Sequence, residues 1–108
     1  MENYGQNSGK RTKFKLNAWM EPIDGFHLSD VDFEVEVFVE NSPKLIRFHK
    51  SEAIKIDEDN YKVMVDSSVC GAGRYWMTII AYIPDPDFKD GIRDEARTTF
   101  TGVTIDAR

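Results

Sequence analysis

The segment from Asp30 to Glu40 alternates between apolar and mostly acidic side chains. Its apolar residues are two positions apart, at Val31, Phe33, Val35, Val37 and Val39. Successive side chains of a β-strand point to opposite faces, whereas a helix would scatter these residues around its axis. The pattern therefore predicts a strand with one dry face and one wet face, which is typical of an antiparallel sheet that covers one side of a core.

Further segments alternate in the same way, and turn residues separate them. We expect seven strands, at 11–20, 30–40, 45–50, 53–57, 61–65, 74–83 and 98–106, and a loop at 84–91. In the fourth strand, Ile54 and Ile56 are expected to be buried. Seven short strands without a helical repeat predict an all-β protein, an immunoglobulin-like antiparallel β-sandwich. A partly open β-barrel is the alternative.

The length of 108 residues predicts one domain. Residues 1–10 are polar, and we expect a flexible lead-in before a single β-sandwich domain at 11–108. Residues 1–10 lack the apolar core of a secretory signal, and the sequence contains no apolar run of membrane-spanning length. We therefore expect synthesis in the cytoplasm and no membrane insertion. The net charge of −5 argues against nucleic-acid binding, which needs a basic surface.

No motif in the sequence predicts a reaction. Cys70 is the only cysteine and has only Arg74 near it in the sequence, so we expect a small buried or turn residue without special reactivity. His27 and His49 lie far apart and lack zinc-ligand spacing. We therefore expect a protein that is not an enzyme and has no catalytic, cofactor-binding or metal-binding residues.

The carboxylates of 85–91 resemble a calcium-binding loop only in part. Lys89 and Asp90 occupy places that need an oxygen ligand and a glycine, and Ala96 stands where glutamate is required. The expected structure is a solvated loop, tied by aspartate-to-backbone bonds and by Arg93 or Arg97.

Two glycines, Gly71 and Gly73, interrupt the chain before the sixth strand. Trp76 stands where a dinucleotide-binding fingerprint needs its third glycine. We predict instead a hairpin or bulge in which at least one of the two glycines has positive φ.

The wet face of the second strand carries Asp32, Glu34 and Glu36. We interpret these carboxylates as a solubilising face, paired across the sheet with Lys13 and Lys15. A carboxylate pair that flanks a glycosidic bond is the other interpretation.

The sixth strand is apolar on both faces, although one layer of a sandwich covers only one face of a strand. Outward-facing aromatic residues also occur on the first and second strands. We predict that a set of outward apolar residues contributes to a contact surface. Scattered surface aromatics are the alternative. The predicted set is Trp19, Phe38, Trp76, Ile80 and Tyr82.

The second half of the chain carries a series of motifs that resembles a known group of domains. The residues are Val63, Val65, Asp66, Gly71, Gly73, Ile83, Pro84, Asp85, Asp87, Phe88, Asp90, Gly91, Arg93 and Glu95. They resemble small immunoglobulin-like domains encoded by gut Bacteroidetes and their phages, and the layout is similar to the N-terminal immunoglobulin-like domain of phage upper baseplate proteins.

The resemblance implies a non-enzymatic structural module of a phage tail or baseplate. Such a module is virion-associated and assembles with protein partners or with further copies of itself. The resemblance implies no catalytic residue. The alternative function is a small carbohydrate-binding or ligand-binding module, with Trp19 or Trp76 as a flat stacking platform.

Overall fold

The computed structural model describes residues 12–106, which form two antiparallel β-sheets packed face to face. The predicted all-β sandwich of seven strands is confirmed, whereas the predicted lead-in at 1–10 lies outside the described residues. The strands are β1 (Lys13–Trp19), β2 (Asp32–Val39), β3 (Leu45–His49), β4 (Ile54–Lys55), β5 (Asn60–Asp66), β6 (Gly73–Pro84) and β7 (Ile92–Ile105). Short 3-10 turns lie at Leu28–Asp30 and Lys50–Glu52, and a helix of one turn, α1, spans Ser67–Cys70.

The strands divide into a three-stranded sheet in the order β1-β5-β4 and a four-stranded sheet in the order β3-β2-β6-β7. The chain changes sheet between β1 and β2, between β3 and β4, and between β5 and β6. Two separate sheets with their own edges replace the alternative of a partly open barrel. Within 12–106, the structure contains no helix with the length and apolar character that crossing a membrane requires.

The core lies between the two inner faces and follows the alternation of the sequence. β2 and β6 provide one wall, and β1 and β5 provide the other. Two edge-to-face aromatic pairs join the sheets: Phe14 with Tyr75, at 5.2 Å between ring centroids, and Phe33 with Tyr61, at 4.8 Å. The buried wall residues are Phe14, Leu16, Ala18, Phe33, Val35, Val37, Val39, Tyr61, Val63, Val65, Tyr75, Met77, Ile79, Ala81 and Ile83.

The expected burial of Ile54 and Ile56 is wrong. Their exposed fractions are 64% and 52%. Ile54 lies opposite Lys62 on the outward face of the three-stranded sheet, and Ile56 follows the end of β4, so neither side chain enters the contact between the sheets.

β7 begins at Ile92, six residues before the predicted start at Thr98. The inner-face positions Arg93, Glu95 and Arg97 pair with inward-facing residues of β6 but are charged. Apolar alternation marks a strand only where the opposite layer covers it. At this edge the inner face is partly open to solvent, so polar residues occupy a regular strand.

The turn into β6 is built on α1 and the two glycines. The Asp66 side chain accepts from the backbone N–H of Ser68 at the start of α1, and Gly71 ends the helix with φ of 84°. Gly73 has φ of 132°, so the prediction of positive φ is confirmed. Tyr75 then donates its hydroxyl hydrogen to the carbonyl of Gly71. A helix of one turn is too short to show a helical repeat, which explains why the sequence did not predict it.

The two glycines make a matched pair for mutation. A Cβ at Gly73 would lie 2.5 Å from Cγ1 of the buried Val39, whereas a Cβ at Gly71 would meet nothing within 4 Å. We expect Gly71→Ala to lower the free energy of unfolding by about 1 kcal/mol through backbone strain alone. Gly73→Ala should lower it by about 2–4 kcal/mol, because overpacking adds to the strain. Urea unfolding of both variants measures the difference, and equal losses would contradict this account of Gly73.

Candidate interaction surface

One row of apolar side chains crosses the outer face of the four-stranded sheet. The strand registers place Leu45 opposite Phe38, Phe38 opposite Trp76, and Trp76 opposite Phe100. We call these four residues the outer row. Phe38 and Trp76 are half-buried, whereas Leu45 and Phe100 are exposed. The row therefore presents apolar surface from one edge of the sheet to the other.

Two charged side chains, Arg74 and Glu40, contact the aromatic residues Trp76 and Phe100 at one end of the outer row. The rings of Trp76 and Phe100 lie 5.4 Å apart at an angle of 52°. The guanidinium group of Arg74 lies 4.6 Å from the ring centroid of Phe100. Glu40 accepts from Nε1 of Trp76 at 2.9 Å and forms an ion pair with Arg74. These contacts hold the Trp76 indole in one orientation, so its apolar surface is already ordered in the single chain.

The carboxylates of β2 find partners on the neighbouring strands of the same sheet. Asp32 pairs with His49 at 3.1 Å, and Glu36 forms an ion pair with Arg47. Glu34 accepts from the Tyr82 hydroxyl at 2.8 Å. The β2 carboxylates beside the outer row are thus paired within the sheet.

The expected pairing of these carboxylates with Lys13 and Lys15 is wrong. β1 pairs with β5 in the other layer, so its lysines face solvent on the opposite side of the sandwich. Alternation predicted the outward face of each strand but not the sheet to which the strand belongs.

An open cleft of about 700 Å³ lies at the other end of this face. The hydrogen bond to Glu34 raises the pKa of Tyr82 to about 12. The Tyr82 phenol acts as a donor to Glu34. The lining residues are Asp30, Val31, Asp32, Glu34, His49, Tyr82, Pro84, Gly91 and Ile92.

The structure divides the five residues predicted to form a contact surface. Phe38, Trp76, Ile80 and Tyr82 share the outer face of the four-stranded sheet. Trp19 lies on the outward side of the three-stranded sheet and is 56% exposed. A single surface containing all five residues is therefore wrong, because β1 belongs to the other layer.

Two members of the outer row, Leu45 and Phe100, were missing from the predicted set. Neither stands in a strand with a strongly apolar outward face. The alternation of β6 marks Trp76, but only the pairing register shows that Phe38, Leu45 and Phe100 align with it.

The two histidines lie in different environments. His27 contacts Asp59 through Nδ1 at 3.0 Å and Glu58 through Nε2 at 3.5 Å, and it joins the loop before β2 to the turn before β5. His49 lies on β3 beside Asp32. Within residues 12–106, no three or more His, Cys, Asp or Glu side chains are grouped closely enough to hold a metal ion.

The contact between His27 and Asp59 makes the stability of the fold depend on pH, in a direction that the raised pKa of His27 sets. The hydrogen bond with Asp59 raises the pKa of His27 above its ordinary value of 6.5. Protonated His27 therefore stabilises the fold fully below pH 6.5, and this contribution is lost as the pH rises through the raised pKa. We expect the melting temperature to fall across that range, and to fall less in His27→Gln. His49→Gln is the control and should keep the dependence; an identical slope in His27→Gln would contradict the assignment.

The loop at 85–91 is tied as the sequence predicted. Asp85 accepts from the backbone N–H of Asp87 and from Arg93, and both contacts lower the pKa of this carboxyl group. Arg93 also binds Asp24 and Glu95, so one guanidinium group connects three segments.

These contacts predict the response of the loop to calcium. A calcium ion would have to displace Arg93 and the Asp87 N–H from Asp85, and the loop lacks the ligand set that would compensate. We expect millimolar calcium or EDTA to leave the melting temperature unchanged, as measured by differential scanning fluorimetry. A calcium-dependent rise of several degrees, absent in Asp85→Asn, would contradict this prediction.

Cys70 is the last residue of α1 and is buried, as the sequence predicted. Burial raises the pKa of its thiol, which keeps the sulfur in its unreactive protonated form at neutral pH.

Comparison of the chain with protein-family models, with curated proteins and with solved structures finds no match.

Proposed function

We propose that this chain is a non-enzymatic protein-interaction module that docks through the outer face of its four-stranded sheet. The outer row is the observation that carries the proposal. It is a continuous apolar feature on the side of the sheet that faces away from the core. Scattered surface apolar residues are ordinary, whereas contiguous exposed apolar patches mark interaction sites.

The composition of the outer row supports a protein partner. Trp76 stands in the middle of the row, already positioned by Glu40 and flanked by Arg74. Tryptophan and arginine are enriched among residues that dominate binding energy, and surrounding contacts exclude water from them. The paired carboxylates beyond the row would form a polar rim.

The strand order supports an immunoglobulin-like sandwich. A three-stranded sheet in the order β1-β5-β4 against a sheet in the order β3-β2-β6-β7 corresponds to immunoglobulin strands B-E-D and C′-C-F-G. The bond from the Tyr75 hydroxyl to the Gly71 carbonyl corresponds to the tyrosine corner at the start of strand F. The immunoglobulin cysteine pair is absent from the sequence.

This architecture and the resemblance of residues 63–95 together favour a component of a phage tail or baseplate. A module with a buried core and an apolar outer row is consistent with a component that assembles with other chains.

Carbohydrate binding is the second candidate, and Trp19 is the observation that favours it. This exposed indole borders a small cleft with Glu21, Arg97 and Thr99. An aromatic face beside polar groups is the arrangement that sugar rings stack on. Chemical-shift changes confined to this cleft on addition of oligosaccharides, and lost in Trp19→Ala, would favour this function.

Site-specific photo-crosslinking tests the protein-interaction function. A benzophenone amino acid replaces either Leu45, in the outer row, or Met64, which is equally exposed on the opposite sheet. Each protein is irradiated in extracts of the cells or particles that contain it, and the adducts are identified by mass spectrometry.

We expect a discrete protein adduct from position 45 that is weak or absent from position 64. Adding Trp76→Ala should reduce that adduct, since loss of a central tryptophan costs about 2 kcal/mol or more of binding energy, which is more than tenfold in affinity. Equal adducts from both positions, or none from position 45, would contradict the proposal.

A further inference from the structure

β7 forms one edge of the four-stranded sheet. One side of the strand pairs with β6, and no other strand of residues 12–106 pairs with its second side. Its register with β6 is regular from Ile92 to Phe100. A bulge with Gly102 at φ of 84° follows, so the regular edge ends at Phe100. Residues 92–100 are therefore a straight strand edge with a defined beginning and end.

The backbone of this segment directs alternate residues toward the open side. The N–H of Asp85 donates to the carbonyl of Gly91, so odd-numbered residues face β6 and even-numbered residues face away. The side-chain contacts agree, since Arg97 donates to the carbonyl of Ala96 and Thr99 donates to that of Phe100. The open edge thus presents the N–H groups of Asp94, Ala96, Thr98 and Phe100, whereas the N–H of Ile92 donates to the Asp90 side chain. It also presents the C=O groups of the even-numbered residues, and those of Ala96 and Phe100 each keep a second lone pair beside the side-chain bond.

We propose that two copies of the chain pair through these edges, antiparallel, around a two-fold axis at Ala96. The axis follows from the limits of the strand, because Ala96 is the midpoint of 92–100. Antiparallel pairing that uses the full segment must place Ala96 opposite Ala96 of the second copy. The small side chain allows close approach at the axis.

The side chains complement one another in this register. On the outer face, Ile92 lies opposite Phe100 of the second copy. On the inner face, Glu95 lies opposite Arg97 of the second copy, and the symmetric contact repeats it. Cross-strand pairs of opposite charge and of apolar residues are the contacts that stabilise a sheet. Ile92 and Phe100 are 43% and 37% exposed in the single chain, and pairing would cover both.

Charge also excludes the neighbouring registers. An axis at Glu95 would place Glu95 opposite its own copy and Arg93 opposite Arg97. An axis at Arg97 would place Arg97 opposite its own copy. Like charges directly opposite are destabilising, so the alternation of Arg93, Glu95 and Arg97 disfavours the axes at Glu95 and Arg97, and the length of the regular edge favours the axis at Ala96. The same charges protect the edge from strands of other proteins, because charged residues that point inward at an edge oppose indiscriminate pairing.

The paired sheet would have eight strands, and the outer row would continue from Phe100 to Ile92 of the second copy. This inference rests on the edge of the sheet and not on the proposed function, so either one can fail without the other. Its test uses variants that leave the outer row intact.

Sedimentation equilibrium of the whole chain from micromolar to millimolar concentration is the first test. We expect a monomer–dimer equilibrium with a mass that approaches twice that of the chain. Ala96→Pro removes the N–H at the axis, and proline is tolerated where an edge N–H faces solvent. This variant should stay monomeric, and Ala96→Thr, which keeps the N–H, should dimerise. A monomeric parent at millimolar concentration, or a dimeric Ala96→Pro, would overturn the proposal.

Exchanging the charges of Glu95 and Arg97 tests the register of the dimer. It also tests whether the dimer forms through this edge if Ala96→Pro does not fold. Arg97→Glu would face Glu95 of the second copy and should abolish the dimer. The double variant Glu95→Arg with Arg97→Glu restores opposite charges and should restore the dimer, while Arg93 keeps Asp24 and Asp85. A dimer that persists in folded Arg97→Glu, or that fails to return in the folded double variant, would overturn the register.

Discussion

The dry contact between the two sheets is the interaction on which the rest of the structure depends. Phe14 with Tyr75 and Phe33 with Tyr61 join the layers edge to face, and valines of β2 and β5 fill the space around them. Each buried side chain of this size contributes about 1.5–3 kcal/mol by leaving water. The alternation of apolar and polar side chains in each sheet stabilises the fold only because the opposite sheet covers the apolar face.

Because the inward residues of β2 and β6 form the core, the outward residues of these strands are available for other contacts. β2 and β6 lie at the centre of the four-stranded sheet, and their inward residues alone provide one wall of the core. Their outward residues take no part in the contact between the two sheets. Glu34 and Glu36 take partners on β6 and β3, whereas Phe38 and Trp76 extend an apolar row toward both edges. Arg93 and His27 tie loops at the ends of the sandwich, and the outer row and the β7 edge remain exposed.

The sequence predicted the fold well because alternation reports directly which side chains of a strand are dry. Alternation correctly predicted the inward residues of β2 and of β6, and the glycine pair correctly predicted a positive φ before β6. These patterns did not predict the layer or the register of each strand, which depend on contacts between residues far apart in the chain. For that reason Trp19, Lys13 and Lys15 were assigned to the wrong neighbours, and Leu45 and Phe100 were missed. The early start of β7 was missed because an edge that the other sheet leaves open needs no apolar alternation.

Amide hydrogen exchange, measured by NMR at two protein concentrations, tests most directly whether the core is closed while the edge is available for association. The account predicts slow exchange in β2, β5 and β6 at both concentrations. In β7, the amides of Asp94, Ala96 and Thr98 should exchange fast at micromolar concentration and become protected at millimolar concentration. Exchange in β7 that does not change with concentration, or fast exchange at the centre of β2 and β6, would contradict it.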